Sequence, residues 1–449
     1  MDQDSVRINR RALKIRPRMN ANERKSLIRV YLRSFAAIIF SGLSLTSAQT
    51  FEVTPKRVMI DESASIRATG LQPNQRVTIR AELVDGADER WTSEAEFVAD
   101  GQGSIDTSKH PAIAGSYKGV SASGLIWSMI PSSKKASRYQ PPRDFGIQTI
   151  DFHLMLKNVE LGTARLEQAT VAEGVQRVII RYGDLRATLF SPPGKDRRPG
   201  VLVLGGSEGG LPSRRAAWLA SHGFAALAVA YFRFDDLPTE LAGIPLEYFG
   251  RALTWMANRP EIAADRIAVM GVSRGAELAL QLGSMFPRIK AAVAYSPANV
   301  RYPACCGFTA VPYAWAWNGN GLAFRPLRPG ATQMEMVMKS EIEVERTQGP
   351  ILLISGDADH VWDSNSMADS IVARLKRHAF AYNVEHLNYA HAGHGAGRPE
   401  IVPAWRGAVR NPTSGRDVEV GGTPQGNAES SLDAIGKVID FLQQSLAAH

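Results

Sequence analysis

Five apolar runs after residue 178 set the strongest limit on what this chain can fold into. They are VLVLGG (201–206), AALAVAYF (225–232), IAVMGVS (267–273), AAVAYS (291–296) and ILLISGD (351–357). Amphipathic stretches separate them, among them 246–258 and 276–285, and a last helix is predicted over 432–446. Strands that are apolar on both faces need cover on both faces, and a helix between consecutive strands lets them run parallel. The pattern predicts a mostly parallel, doubly wound α/β sheet within residues 169–449. The stretch 297–346, with Trp315 and Trp317, has no clear period. A connection that long is read as a functional loop such as a lid, or as disordered.

Before that point the period is two. RVTIRAEL (76–83), AEFVAD (95–100) and FHLMLKNVEL (152–161) alternate apolar and polar residues, with turn signals at 71–74 and 100–103 between them. Short strands at such spacing predict a β-sandwich over residues 49–168. No grouping of reactive residues occurs in this part.

The 449 residues carry 52 Lys+Arg and 44 Asp+Glu, a net charge of +8. Taken whole, that balance points toward nucleic acid or a membrane surface. The excess is local, however. Residues 1–49 hold ten basic and three acidic side chains, which leaves the rest at +1. A nucleic-acid partner is therefore not expected. The basic stretch ends at Arg33 and is followed by FAAIIFSGLSL (35–45) and then Thr46, Ser47 and Ala48. That order is the order of a secretory signal, and the apolar run is too short to span a membrane. Residues 1–48 are expected to be an export leader, with no stable membrane insertion once it is removed. Starting at Met19 would give it ordinary proportions. The alternative is a retained basic tail on a cytoplasmic protein. Cys305 and Cys306 are neighbours. A bond between them closes a strained ring, so a structural disulfide is not expected, and two cysteines make no zinc site alone.

The strongest chemical signal is GVSRG (271–275), which follows an apolar strand and opens the helical stretch AELALQL. In that setting G-x-S-x-G is a nucleophile elbow: the glycines let the chain turn tightly and the serine Oγ is presented at the carboxyl edge of the sheet. Ser273 is the predicted nucleophile, and the Arg274 N–H the first oxyanion donor. A serine hydroxyl needs a base, and in this arrangement the acid and then the histidine follow along the chain. The strand at 351–355 ends in GDADH, so Asp359 is the preferred acid, with Asp357 as the alternative. The strand at 381–387 leads to YAHAGHG (389–395), where His394 is the preferred base and His391 its rival. His360 and His386 are read as structural. The glycine-dense loop GGSEGG (205–210) after the strand at 201–204 is expected to supply the second oxyanion donor from Ser207. Its spacing fits neither a phosphate loop nor a dinucleotide fingerprint. Neither a cofactor nor a metal is expected, and no oligomeric state can be read.

With these residues in view, the sequence resembles the acyl-CoA thioesterase and bile-acid-CoA:amino-acid N-acyltransferase family over nearly the whole chain after residue 50. The likeness runs through GLIWSM (124–129), RATLFSPPG (186–194), LGGSEGGL (204–211), AYFRFDDLPTELAGIPLEYF (230–249), GVSRGAELAL (271–280), IEVER (342–346), GDADHVW (356–362) and GGTPQGNAESSLDA (421–434). It implies an immunoglobulin-like β-sandwich domain followed by an α/β-hydrolase domain, with the triad on Ser273, Asp359 and His394. Members that pass an acyl group to glycine or taurine typically carry Cys where this chain has Ser273, and hydrolases carry Ser. The resemblance thus implies hydrolysis of a small-molecule acyl thioester or related ester through an acyl-enzyme. Transfer of the acyl group from CoA to an amine acceptor is the alternative, and export would favour a general esterase. Two segments depart from the family pattern. Residues 395–407 lack its Pro-Pro-Tyr, and 301–324 brings the two cysteines and two tryptophans to where an acyl pocket could be reshaped.

Overall fold

In the strand Arg76–Val84, Val77, Ile79, Ala81 and Leu83 are buried while the residues between them face outward, as alternation requires. The computed structural model to which this strand belongs describes residues 49–133, 138–307, 309–326, 334–410 and 417–448. The expected leader, residues 1–48, lies outside the described residues. Arg76–Val84 pairs antiparallel with Arg90–Val98 on one side and Ile147–Leu156 on the other, at the centre of a seven-stranded sheet. A three-stranded sheet of Thr50–Thr54, Ser65–Thr69 and Ile105–Asp106 accompanies it. Val53, Ile66 and Ile105 of the small sheet and Ile79, Trp91, Phe97 and Phe152 of the large one share a single buried cluster.

The strand expected over 152–161 is instead a hairpin of Ile147–Leu156 and Val159–Ala169. Lys157 turns the chain with φ 56°. A two-residue turn leaves the apolar alternation on either side unbroken in sequence, which is why period alone reads through it. The strand expected at 95–100 begins earlier, as Arg90–Val98.

The second sheet has eight strands, numbered here along the chain: β1 (Gln176–Tyr182), β2 (Leu185–Ser191), β3 (Arg198–Leu204), β4 (Ala225–Ala230), β5 (Ile262–Val272), β6 (Ile289–Tyr295), β7 (Ile351–Gly356) and β8 (Val384–Tyr389). Their spatial order is 1-2-4-3-5-6-7-8. β2 runs antiparallel to β1 and β4, and every pairing from β4 to β8 is parallel. Helices α1 (Ser213–Ser221), α2 (Glu247–Ala257), α3 (Arg274–Met285), α4 (Ser364–Arg377) and α5 (Pro424–Ser445) cover it. α2, α3 and α4 bury Phe249, Leu278 and Ile371 on one face, and α1 and α5 bury Trp218 and Phe441 on the other. The continuous apolar runs follow directly from this cover, because every residue of β4 and β7 is buried. α5 begins eight residues before the expected start at 432. Thr423 Oγ accepts from the Gly426 N–H, and Pro424 occupies the first turn, a start that polar and small residues conceal from an apolar-period search.

Within the stretch 297–346, Trp315–Trp317 joins Ile244–Pro245 and Asn320–Gly321 in a small sheet. Cys305 and Cys306 are bonded to each other, contrary to the expectation from sequence. The strain argument treats the two residues as an isolated pair. Here reciprocal backbone bonds between Cys305 and Leu241, each 3.1 Å, hold one side of the turn. Cys306 adopts φ 79°, and the Arg233 guanidinium donates to its carbonyl.

The segment after the His394 loop is held by the N-terminal sheets. Ile401, Val402 and Ala404 belong to the same buried cluster as Trp91 and Trp127. The Ile401 N–H donates to Ile60 O at 2.7 Å and the Ala404 N–H to Trp127 O at 2.9 Å.

Candidate active site

β5 ends at Val272 and α3 starts at Arg274, so Ser273 occupies the turn between them with φ 56° and ψ −120°. A non-glycine residue keeps such a conformation only when its surroundings impose it. The Ser273 N–H donates to Tyr295 O at 2.9 Å, and its carbonyl accepts from the N–H groups of Ala276 and Glu277. The flanking glycines are sterically required. A Cβ on Gly271 would overlap the Gly275 carbonyl, and one on Gly275 would overlap the carbonyl of Gly205. The elbow is thereby pressed against the loop after β3.

That loop passes over the serine. A Cβ on Gly206 would lie 3.4 Å from Ser273 Cβ. Tyr231 Oη donates to Gly205 O at 2.6 Å, and the Gly206 N–H donates to Glu208 Oε1 at 3.1 Å. Ser207 is the next residue along. Arg274 is the first residue of α3, and its N–H is among the four that a helix leaves without an intrahelical acceptor.

His394 Nε2 lies 2.9 Å from Ser273 Oγ, and its Nδ1 lies 2.8 Å from Asp359 Oδ2. Asp359 follows β7 and is almost fully buried, at 1% side-chain exposure. Its Oδ1 accepts from the N–H groups of Val361 (2.9 Å) and Trp362 (3.2 Å), and its Oδ2 also accepts from Ser364 Oγ (2.7 Å). A carboxylate oxygen can only accept, so facing Asp359 Oδ2 the His394 Nδ1 is the donor, which leaves Nε2 free to accept from the serine hydroxyl.

The histidine is fixed from behind. Ser296 Oγ donates to His394 O at 2.8 Å, the His394 N–H donates to Val420 O at 2.8 Å, and the neighbouring Gly393 N–H donates to Asn427 Oδ1 on α5 at 2.9 Å. The Trp362 ring meets His394 edge-on at 5.5 Å and stacks on Tyr302 at 5.2 Å.

The rival pair is also found together, in a different role. Asp357 Oδ1 accepts the His391 backbone N–H at 2.6 Å, so the two brace one loop against the other. His360 is exposed near Glu419, and His386 lies between Ser355 Oγ (2.7 Å) and Asp369 (3.1 Å). Among the described residues no group of three or more His, Cys, Asp or Glu could hold a metal ion.

Sequence reasoning missed the supports. The buried Arg274 side chain donates to the carbonyls of Pro303 (3.0 Å) and Tyr302 (3.1 Å) and pairs with Glu277 at 3.3 Å. Trp315 Nε1 donates to Glu277 Oε1 at 2.5 Å. Burial pushes the Glu277 carboxyl up, and the Arg274 guanidinium opposes the shift. An acidic residue amid the apolar positions of AELALQL was the available signal. Ser296 had none, because it acts through His394, 98 residues along the chain, and Ser364, only five residues after Asp359, reads as an ordinary first residue of a helix.

The eight-stranded sheet, the elbow after its fifth strand and the Ser273–His394–Asp359 contacts define an α/β-hydrolase. Residues 61–182 match the family model described as the acyl-CoA thioester hydrolase/BAAT N-terminal region, and residues 244–448 match that of the BAAT / acyl-CoA thioester hydrolase C terminal. Acyl-coenzyme A thioesterase 6 of Mus musculus is 35% identical over 417 residues, spanning 89% of this chain and 97% of its own. Acyl-coenzyme A amino acid N-acyltransferase 1 of the same organism is 32% identical over 419 residues, spanning 88% and 97%. Acyl-coenzyme A thioesterase 1 of Mus musculus is 33% identical over 398 residues, spanning 86% and 94%. The chain belongs to the acyl-CoA thioester hydrolase/BAAT family and is an enzyme, a thioesterase-like hydrolase.

Proposed function

We propose that the chain hydrolyses acyl-CoA thioesters, or closely related esters, with Ser273 as nucleophile, His394 as general base and acid, and Asp359 as the group that orients the histidine. The observation that carries the reading is the unbroken contact from Ser273 Oγ through both His394 nitrogens to Asp359, at 2.9 and 2.8 Å. Ser273 Oγ attacks the acyl carbonyl while its proton passes to His394 Nε2. The tetrahedral oxyanion is held by the backbone N–H groups of Arg274 and Ser207. The C–S bond breaks, and the His394 proton goes to the departing thiolate. Water then gives a proton to His394 and attacks the acyl-enzyme, releasing the acid. In this reading residues 49–168 form an immunoglobulin-like sandwich domain and 169–449 the catalytic domain.

Hydrolysis is preferred over transfer to an amine because the nucleophile is Ser rather than the Cys typical of the family's acyltransferases. The test incubates the purified protein with a long-chain acyl-CoA, with and without glycine or taurine, and follows free thiol and acyl products. Thiol release with only the free acid as product is expected. An N-acyl amino acid as main product would establish transfer instead. Absence of thiol release, together with failure to label with a fluorophosphonate, would remove the assignment.

A second reading, an exported esterase, is favoured by the signal-like order of residues 1–48. Mass spectrometry of the natively expressed protein decides between the two. Export predicts a mature N-terminus at Gln49, and a retained leader would restore an intracellular acyl-CoA substrate.

A further inference from the structure

The helix that follows the nucleophile buries charge, which is costly to take out of water. Arg274, Glu277 and Gln281 of α3 are all buried, and their spacing of three and four residues puts them on one face. That face meets residues 301–303. Arg274 donates to the carbonyls of Tyr302 and Pro303, and Gln281 Oε1 accepts from Arg301 at 2.8 Å. The Arg274 guanidinium also lies over the rings of Tyr302 and Trp315, 6.0 Å from each centroid. Glu277 takes the remaining side of the guanidinium and accepts from Trp315 Nε1. Well-packed apolar side chains would fill the same space at no greater cost, so stability alone does not account for the pair.

Followed outward, the contacts close a circuit around the reacting groups. The Glu277 N–H donates to Ser273 O at 3.1 Å. Its carboxylate holds Arg274, and Arg274 holds Tyr302. The Tyr302 ring stacks on Trp362 with 18° between the planes, and the Trp362 ring meets His394 edge-on. Trp362 Nε1 donates to Ser296 O at 3.2 Å, and Ser296 Oγ in turn holds the His394 carbonyl. His394 Nε2 returns to Ser273 Oγ. Serine and histidine are 121 residues apart. The circuit ties them together through packed side chains, apart from the triad's own hydrogen bonds.

We infer that Glu277 is a positioning residue: through Arg274 it holds the Tyr302–Trp362 stack against His394 and so fixes the imidazole at hydrogen-bond distance from the serine it must deprotonate. Glu277 touches no reacting atom. An apolar residue at 277 could fill the space but could not orient the guanidinium, whose planar fork must meet two carbonyls at once. The inference rests on the triad reading and adds what sets its geometry.

The test measures kcat and KM for an acyl-CoA thioester, together with the rate and the stoichiometry of fluorophosphonate labelling. Stoichiometry counts folded sites, and the rate reports how well His394 activates Ser273. Glu277→Gln keeps an oxygen for Trp315 Nε1 and removes the charge that orients Arg274. It is expected to lower kcat and the labelling rate about tenfold at full stoichiometry, with KM within about twofold of wild type. Should that variant not fold, Trp315→Phe removes only the hydrogen bond to Glu277 and takes its place, with about threefold expected in the same two rates. Tyr302→Leu keeps the carbonyl that Arg274 holds and removes the ring, and should lose about tenfold. Combined with it, the Glu277 or Trp315 variant should add less than about twofold, because both act along one path. A Glu277 with a merely structural role would lower the melting temperature and leave kcat and the labelling rate per folded site unchanged, which would overturn the inference. Unchanged rates in Tyr302→Leu, or a full additional loss in the double variant, would overturn it as well. In each of those cases a wild type that labels and releases thiol leaves the triad reading standing. A wild type that does neither removes both.

Discussion

Ser273→Ala is expected to lower kcat/KM for an acyl thioester by about 10⁴- to 10⁶-fold, with the loss in kcat rather than KM. The hydroxyl is the atom that forms the acyl-enzyme, and neither His394 nor water at the same place offers a second covalent route. What remains should be the residual acceleration that a backbone oxyanion hole and substrate positioning provide without a nucleophile. The fold should persist. The Ser273 N–H and carbonyl make the bonds that hold the elbow, to Tyr295, Ala276 and Glu277, and Ala keeps both. The side chain makes one described contact, to His394 Nε2. An unchanged melting temperature with activity reduced by less than about 100-fold would show that Ser273 is not the nucleophile.

The elbow was legible in the sequence because its constraints are local. Gly271 and Gly275 are excluded from being anything larger by contacts within four residues and with the next loop, and the strand before and helix after it have strong periods. The choice of acid and base was not local. Asp357 and His391 are 34 residues apart, and Asp359 and His394 are 35 apart, so spacing hardly separates the two pairs. They differ in which atoms meet. Asp357 takes a backbone N–H, whereas Asp359 takes an imidazole nitrogen from inside a buried loop. The bond between Cys305 and Cys306 was missed for a related reason, since the turn that permits it is held by Leu241 and Arg233, more than sixty residues away. The grip of the N-terminal sheets on Ile401 and Ala404 is longer in range still, and nothing in the polar-to-apolar rhythm of 395–407 announces it. Hairpins and caps such as Lys157 and Thr423 were hidden differently: their signal is one residue wide, below what a periodicity search resolves.

Asp359→Asn is expected to cost about 10⁴-fold in kcat with the protein still folded, because it changes which imidazole nitrogen carries the proton. The N–H groups of Val361 and Trp362 both donate to Oδ1. An asparagine must put its carbonyl oxygen there, since its NH₂ group cannot accept them. The NH₂ then takes the place of Oδ2, facing His394 Nδ1 and Ser364 Oγ. A donor in that position requires Nδ1 to accept, so the proton moves to Nε2. Nε2 then points an N–H at Ser273 Oγ and can no longer remove its proton. The backbone bonds that close the loop survive, which separates this loss from unfolding and can be checked by the melting temperature. Asp357→Asn provides the contrast. There the only described partner of the carboxylate is the His391 N–H, and an asparagine oxygen accepts it equally well, so kcat should stay within about threefold of wild type. Comparable losses in the two variants, or a larger one at Asp357, would mean that the buried carboxylate acts by holding the loop and not by setting the histidine's proton.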